Sequence, residues 1–335
     1  MKTLSAEIIP VGIGRLLILL LMLSAGYKTI PVATAEQLQG ELIVFHAGSL
    51  GVPFHLIATA FEEAHPDVTV LREAAGSRTC ARKISELGRQ CDVFASADYT
   101  VIDELLIPEY ARWNIPLATN ELVLAYNEGS RMSDKINGDN WYHILQMDEI
   151  TYGRSDPDSD PCGYRSVLTI KLAESHYRQP GLTGTLLAKD REAIRPRETD
   201  LLALLDVGHI DYLFIYRSVA FQHHLEILKL PPEINLGQPL LADFYRTATL
   251  EIAGKSPGTT ITKRGEPMLY GVTIPTDSPH PELALAFMQF LLADDKGMQI
   301  LAEQGQPGMV PSPTPTWSNI PASLQKFALP PVEVD

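Results

Sequence analysis

The sequence predicts an α/β protein with two lobes. Beyond residue 40, short runs rich in Val, Ile and Leu alternate with amphipathic helical runs, the pattern of sheets covered by helices. About three hundred residues with 45% hydrophobic content can bury a large core, and chains of that size commonly divide into two lobes. Two serine turns, at residues 47–50 and 75–77, each stand between a predicted strand and a predicted helix. Each turn alone is typical of a helix cap. The two together predict an anion-binding site, formed by backbone N–H groups and serine hydroxyls at the helix starts.

The predicted strands and helices alternate along most of the chain. Strands are predicted at residues 41–46, 67–72, 92–96, 121–126, 149–152, 211–216 and 266–274. Helices are predicted at residues 53–64, 78–88, 100–107, 164–177, 199–207 and 281–293. The proline-rich segment that begins at Gln306 is predicted to be an extended strap over the surface, without a role in chemistry.

The order of these elements indicates where the chain passes between the lobes. The strand at 121–126 is the predicted exit from the first lobe, and residues 211–250 contain the predicted return. The prediction is therefore a discontinuous lobe I, residues 36–122 and 245–335, and a lobe II, residues 123–244. Two crossings make a hinge, so we expect a ligand to bind in the cleft and the lobes to close around it.

The first 35 residues have the features of a signal peptide. Arg15 precedes eight apolar residues, and Ala33-Thr34-Ala35 has the small-x-small pattern that a signal peptidase cleaves. Retention of this segment as an anchor is the alternative, although the apolar run is short for a membrane span. Tyr27 stands where a lipid-bearing cysteine would be required, which argues against a lipid anchor. We expect an exported protein on the periplasmic or extracellular side of the membrane.

Charge and cysteine content exclude several classes of protein. Removal of residues 1–35 changes the net charge from −14 to about −16, which argues against a nucleic-acid partner. Cys80, Cys91 and Cys162 are too few and too irregular for a disulfide framework or a zinc site. Cys80 is interpreted as a buried thiol, with a Cys80–Cys91 bridge as the alternative. His46 and the pair at 223–224 have no carboxylate at ligand spacing, so no histidine metal site is expected.

Polar residues concentrate at three places that predict cleft edges. Residues 153–166 place Asp156, Asp158 and Asp160 among turn-forming residues just before a helix. Glu198 opens another helix, and Tyr216 ends a strand. Each also has a purely structural interpretation: a capping loop, a first-turn acid that favours the helix dipole, and an amphipathic core residue.

Several motifs, in the same order, strongly resemble the tungstate/molybdate-binding proteins of ABC transporters, of the type first known from archaea. The motifs lie at residues 45–50, 86–99, 153–165, 195–201 and 216–223. The resemblance extends over about residues 41–310, although the chain between Gly181 and Arg195 is shorter than expected of archaeal members. It implies a type II periplasmic-binding-protein fold with an oxyanion between the lobes, an ABC permease as partner, and no cofactor.

The resemblance also implies a ligand set for the oxyanion. The set consists of the hydroxyls of Ser49 and Ser77, the backbone N–H of Cys162, the phenol of Tyr216 and the carboxylates of Asp160 and Glu198. The two carboxylates would approach the tungsten or molybdenum atom and expand its coordination from four to six. Asp156 is the alternative to Asp160, whereas the spacing of Glu198 to Tyr216 fits the related molybdate-binding proteins.

Two carboxylates beside a dianion need a physical reason. They would repel the ligand unless they were protonated or bonded directly to an electrophilic metal centre. Tungsten(VI) and molybdenum(VI) are large enough to accept extra oxygen ligands, whereas the central atoms of sulfate and phosphate are not, so the acids would reject the abundant anions. Because tungstate and molybdate have nearly the same size and charge, the sequence does not predict which is preferred.

The predicted function is therefore a monomeric, non-enzymatic solute-binding protein that captures tungstate or molybdate and delivers it to a membrane permease. One alternative is the same fold binding sulfate, phosphate or a metal cation. Another is an exported hydrolase with Asp160 and Glu198 as an acid–base pair. The enzyme alternative lacks support from the serines, since neither Ser49 nor Ser77 has an assignable histidine partner in the sequence.

Overall fold

The computed structural model describes residues 38–331, so the predicted signal peptide lies outside the described residues. Strands within this range are β1 Gly40–Ala47, β2 Val68–Ala75, β3 Val93–Ser96, β4 Ile115–Thr119, β5 Leu122–Tyr126, β6 Tyr152–Ser155, β7 Ile194–Arg195, β8 Tyr212–Tyr216, β9 Glu226–Lys229, β10 Thr249–Ala253, β11 Thr260–Arg264, β12 Leu269–Thr273, β13 Ser312–Pro313 and β14 Ala328–Leu329. The α-helices are α1 Gly51–Ala64, α2 Ser77–Ser85, α3 Tyr99–Leu105, α4 Trp141–Ile144, α5 Pro161–His176, α6 Leu182–Lys189, α7 Leu202–Asp206, α8 Arg217–Gln222, α9 Ala242–Tyr245, α10 Pro281–Leu291 and α11 Gly297–Glu303.

The first lobe is built on a five-stranded sheet with the order β2-β1-β3-β12-β4. β1 pairs in parallel with β2 and β3, and β12 runs antiparallel to β3 and β4. All four residues of β3 are buried. A strand covered on both faces needs apolar or small residues throughout, which is why β3 shows no alternation of polar and apolar positions.

The second lobe is built on another five-stranded sheet, with the order β7-β6-β8-β5-β9. β6 runs parallel to β7 and β8, whereas β5 runs antiparallel to β8 and β9. Only Asn120 and Glu121 separate β4 in the first sheet from β5 in the second. The chain therefore passes between lobes in two residues at this point; the lobe limits given above stay predictions.

Most predicted elements are present, with two kinds of difference. The strand predicted at 149–152 begins instead at Tyr152, and the Thr151 N–H before it donates to the Asp211 carboxylate at 2.7 Å rather than to a neighbouring strand. The helix predicted at 199–207 is a 3-10 helix, Glu198–Leu201, continued by α7. The elements that the sequence analysis missed are β4, β7, β9, β10, β11, β13, β14, α4, α6, α8, α9 and α11.

The proline-rich C-terminal segment is only partly a surface strap. Its chain runs along β4, where the Thr119 N–H donates to Pro307 O and the Met309 N–H donates to Leu117 O, both at 2.9 Å. Gln306, at its start, is fully buried and donates from Nε2 to Ser49 O at 2.9 Å. The prediction of a strap over the surface is therefore wrong for Gln306.

The three cysteines are buried in the core. Cys80, Cys91 and Cys162 are all free and buried, so the alternative of a Cys80–Cys91 bridge is wrong. Burial raises the pKa of the Cys80 thiol to about 12, as expected of an inert core thiol.

Residues 38–331 contain no helix with the length and apolar content needed to cross a bilayer.

Candidate functional site

The six predicted ligand residues converge between the two lobes. They are Ser49, Ser77, Asp160, Cys162, Glu198 and Tyr216, and each is at most 1% exposed. The first lobe supplies the two serine turns at the ends of β1 and β2. The second lobe supplies the first turn of α5, the 3-10 helix at Glu198–Leu201 and the end of β8. Each group stands at a strand end or a helix start, where backbone N–H groups lack helical partners.

Asp160 connects two of these elements. It is the N-cap of α5, and its Oδ1 accepts a hydrogen bond from the Cys162 N–H at 3.3 Å. Its Oδ2 accepts a second hydrogen bond from the Glu198 N–H at 3.1 Å. Asp160 therefore fixes the 3-10 helix that carries Glu198 against the start of α5. Asp156 instead accepts hydrogen bonds from the Asp158 N–H and the Ser159 hydroxyl within its own turn, so the structure places Asp160, not Asp156, beside Glu198.

Glu198 has a buried carboxylate that lacks donors. As an ionised carboxylate it receives no hydrogen bond from the described residues, and it can bond the Asp160 carboxyl only when one of the two acids is protonated. A Cβ placed on Gly48 would lie 3.2 and 3.3 Å from these oxygens, so the carboxylate faces the first serine turn. Burial, followed by the neighbouring Asp160 carboxyl, raises the pKa of Glu198 well above its ordinary value. Since a buried carboxylate without donors is unfavourable, this group is poised to take up a proton or an electrophilic centre.

Three hydroxyls at the site each accept a hydrogen bond from the protein. Ser77 Oγ accepts from the Ala97 N–H at 3.0 Å, and the Tyr216 hydroxyl accepts from the Arg165 guanidinium at 3.0 Å. Ser49 Oγ accepts from the Tyr270 hydroxyl at 3.3 Å. A hydroxyl that accepts in this way keeps its own proton for another partner. Ser49, Ser77 and Tyr216 are therefore arranged as donors, as an oxyanion requires.

Cys162 is placed differently from the other five residues. Its backbone N–H already donates to Asp160, so an oxyanion would have to share that donor. Its thiol points away from this contact and lies 3.7 Å from Phe214 O. The cysteine side chain is therefore a packing group, and only its main chain adjoins the candidate site.

The two lobes touch closely around these residues. The Thr79 N–H donates to Ser159 O at 3.3 Å, and the Arg197 guanidinium donates to Ala74 O at 3.0 Å. Arg82 donates to Asp158 O at 3.1 Å. These bonds join the first lobe to the acidic loop within residues 153–166 and to the segment that carries Glu198. The two lobes are therefore in a closed arrangement.

Arg165 is a central residue of the site that the sequence analysis did not assign. It is buried in the second turn of α5 and donates to Ala97 O in the first lobe at 2.6 Å, as well as to the Tyr216 hydroxyl in the second. Its guanidinium lies 3.6 Å from Asp98 Oδ2, and Lys263 lies 3.5 Å from the same oxygen. Although burial opposes ionisation, these two cations hold the pKa of Asp98 well below its ordinary value. Arg165 stood within the motif at 153–165, but its partners are 51 to 68 residues distant in sequence.

A buried polar site between two α/β lobes is the arrangement of periplasmic solute-binding proteins. Solved structures share this fold: the periplasmic molybdate-binding protein of Azotobacter vinelandii matches with a TM-score of 0.58 and 17% identity over 79% of this chain and 98% of that one. The sulfate-binding protein SubI of Mycobacterium tuberculosis matches with a TM-score of 0.57 and 14% identity over 87% of this chain and 93% of that one.

Sequence comparison defines the family. The profile described as bacterial extracellular solute-binding protein matches residues 42–306, and the chain belongs to that family. An uncharacterized solute-binding protein of Petrotoga mobilis is 49% identical over 294 residues, 88% of this chain and 91% of that protein. The molybdate/tungstate-binding protein WtpA of Pyrococcus abyssi is 40% identical over 316 residues, 86% of this chain and 90% of that protein.

Proposed function

We propose that this protein binds tungstate or molybdate between its lobes and delivers the oxyanion to the permease of an ABC transporter. The observation that carries the proposal is the unpartnered, buried carboxylate of Glu198 beside three hydroxyls arranged as donors. The hydroxyls suit the oxygens of an oxyanion. The carboxylate suits an electrophilic central atom that can accept further oxygen ligands. The 40% identity to a relative named for molybdate and tungstate binding supports the same ligand.

Asp160 and Glu198 would give selectivity to this site. Around sulfate, a buried carboxylate would meet only negative oxygen atoms, and the repulsion would be poorly screened because the site residues are closed off from bulk solvent. Around tungstate or molybdate, the same group would be compensated by a bond to the metal centre. We therefore assign Asp160 and Glu198 to the metal of the bound oxyanion, and Ser49, Ser77, Cys162 and Tyr216 to its oxygens.

The proposal includes a non-enzymatic, monomeric protein without a cofactor, exported through cleavage of residues 1–35. Within residues 38–331, the hydroxyls of Ser49 and Ser77 have Tyr270 and Ala97 as their hydrogen-bond partners, and neither is paired with a histidine as a catalytic nucleophile would be. The closed contacts between the lobes would be the signal that the permease recognises.

The test is calorimetric titration of the exported protein with tungstate, molybdate, sulfate and phosphate, each alone, after unfolding and refolding to remove bound ligand. We expect tight one-to-one binding of tungstate and molybdate and no heat from sulfate or phosphate. Tight binding of sulfate or phosphate would assign the site to another oxyanion. Heat from none of the four would contradict the proposal and favour a metal cation or the hydrolase alternative.

A further inference from the structure

Tyr270 is a buried residue of β12 that holds a serine of the candidate site. Its hydroxyl donates to Ser49 Oγ at 3.3 Å, and its ring lies 6.1 Å from that of Tyr216, centroid to centroid. Ser49 is also held from its main chain, since Gln306 donates to Ser49 O. The position of Ser49 therefore depends on two buried residues that are 221 and 257 residues away in sequence.

Asn120 holds the Tyr270 hydroxyl in turn. Its Oδ1 accepts hydrogen bonds from the backbone N–H groups of Glu121 at 3.0 Å and Ser218 at 3.4 Å. Since a backbone N–H can only donate, these bonds fix the orientation of the amide and make Nδ2 the donating end. Nδ2 donates to the Tyr270 hydroxyl at 3.0 Å and to Ser218 Oγ at 2.7 Å. Asn120 therefore occupies one lone pair of the Tyr270 hydroxyl, and the proton of that hydroxyl is donated to Ser49 Oγ.

Asn120 also lies where the chain passes from one lobe to the other. It is in the two-residue connection between β4 and β5. Its amide bonds Tyr270 in the sheet of the first lobe and Ser218 in α8, which follows the sheet of the second lobe. A change in the angle between the lobes would have to alter at least one of these two bonds.

We propose that Asn120 and Tyr270 are positioning residues that make Ser49 an obligate donor to the bound anion and connect its orientation to the interlobe crossing. Tyr270 occupies a lone pair of Ser49 Oγ, so the serine proton is left for the ligand. This hydrogen-bond relay, from Asn120 through Tyr270 to Ser49, rests on the proposed function, since it assumes an oxyanion beside Ser49. Asn120 and Tyr270 contact the ligand only through Ser49.

A double-mutant cycle tests the relay. Tungstate affinity is measured by calorimetry for the wild-type protein, Tyr270→Phe, Ser49→Ala and the double variant. We expect Tyr270→Phe to weaken binding about tenfold, as for one misdirected hydrogen bond to a charged ligand. If Tyr270 acts through Ser49, it has little further effect once the serine hydroxyl is gone, so the double variant should bind as Ser49→Ala does. If the double variant instead loses affinity by the product of the two single-variant factors, Tyr270 does not act through Ser49 and the relay is overturned.

Tyr245→Phe is the matched control. Tyr245 is fully buried like Tyr270, and its hydroxyl donates to Pro232 O at 2.5 Å and accepts from the Gln238 N–H at 3.2 Å, outside the bonds that hold Ser49. We expect its loss to lower the thermal midpoint without changing tungstate affinity. An equal loss of affinity in this variant would show a general effect of a lost tyrosine hydroxyl and would count against the relay.

Asn120→Ala provides a second cycle if Tyr270→Phe does not fold. An alanine cannot donate to Tyr270 and adds no charge beside the anion, so the phenol loses the bond that directs its proton to Ser49. We expect the same loss of tungstate affinity as in Tyr270→Phe, and again none beyond it in the Ser49→Ala background. Wild-type protein that binds neither tungstate nor molybdate would overturn the proposed function and the relay together. Wild-type binding, with losses of binding free energy that add in the double variant, would overturn the relay alone.

Discussion

Gly76 in the first lobe lies directly against Ser159 in the second. A Cβ placed on Gly76 would lie 2.9 Å from the Ser159 carbonyl carbon and 3.1 Å from Asp160 Cβ. Real side chains do not approach backbone so closely, and neither the Ser159 main chain nor the capping residue Asp160 can move without disturbing α5. The glycine of the second serine turn is therefore what allows the lobes to meet at the candidate site.

Gly76→Ala is expected to weaken ligand binding by opening this contact. Insertion of a methyl group at a close-packed interface costs about 1–3 kcal/mol, and here the cost falls on the closed arrangement. Calorimetry with tungstate measures the loss. Gly129→Ala is the matched control, because a Cβ there meets no atom within 4 Å. Unchanged affinity in Gly76→Ala would mean that the ligand binds without this contact between the lobes.

Glu198→Gln is expected to weaken tungstate binding and to narrow its preference over sulfate. The amide keeps the shape of the side chain but removes the negative oxygen proposed to bond the metal centre. We expect a loss at least as large as the roughly 10–100-fold cost of residues that only support metal ligands. Titration with both anions measures affinity and selectivity together, with Glu63→Gln, an exposed residue of α1, as control. Equal selectivity in wild type and Glu198→Gln would contradict the assignment.

Arg165→Lys is expected to weaken tungstate binding although the charge is retained. Arg165 Nη1 donates both to Ala97 O in the first lobe and to the Tyr216 hydroxyl in the second, and the lysine side chain is one atom too short to place its amine at this position. One lost hydrogen bond at a charged site costs about 1.5–3 kcal/mol. Arg89→Lys, whose side chain is half exposed, is the control in the same titration. Affinity that survives Arg165→Lys would remove this residue from the site.

Glu266 predicts a pH dependence of stability. Burial, followed by the Asp98 charge, raises its pKa from 4.5 to about 7. Because the folded protein holds this proton more tightly than the unfolded chain, the free energy of unfolding should fall as the pH rises from about 4.5 through about 7. Over this range the Glu266 proton changes the free energy of unfolding by an amount on the order of 3 kcal/mol. His46 has the opposite effect between about pH 4 and 6.5, since burial lowers its pKa to about 4.

Comparison of the wild type with Glu266→Gln isolates this contribution, because His46 is present in both proteins. We expect the variant to gain stability relative to the wild type between pH 5 and pH 8, measured by thermal unfolding of ligand-free protein. Glu63→Gln should follow the wild-type profile. Parallel profiles for Glu266→Gln and the wild type would show that residue 266 keeps an ordinary pKa in the folded state.

The strands and helices that the sequence predicted best are those with a strong local signal. β1 and α10 were predicted to within two residues of their limits, because an apolar run defines the strand and a regular apolar face defines the helix. β2 was predicted three residues too short at its end, where Arg72 and Glu73 interrupt the apolar pattern. β10 and β11 were missed because their residues alternate exposed and buried positions only weakly and contain Lys, Arg and Glu. Such a hairpin is stabilised by its pairing and its neighbours, which no short window of sequence displays.

The sequence by itself determined the polar residues at strand ends and helix starts: the serine turns, the Asp160 cap and Glu198. These residues follow local rules, since strand ends, helix dipoles and caps are properties of neighbouring residues. Only the tertiary structure decided which groups surround them: Arg165 between Ala97 and Tyr216, and the chain of bonds from Asn120 to Ser49. Asn120 and Tyr270, and Tyr270 and Ser49, are separated by 150 residues or more and meet only when the two segments of the first lobe have assembled, and the direction of each hydrogen bond depends on what these partners can donate.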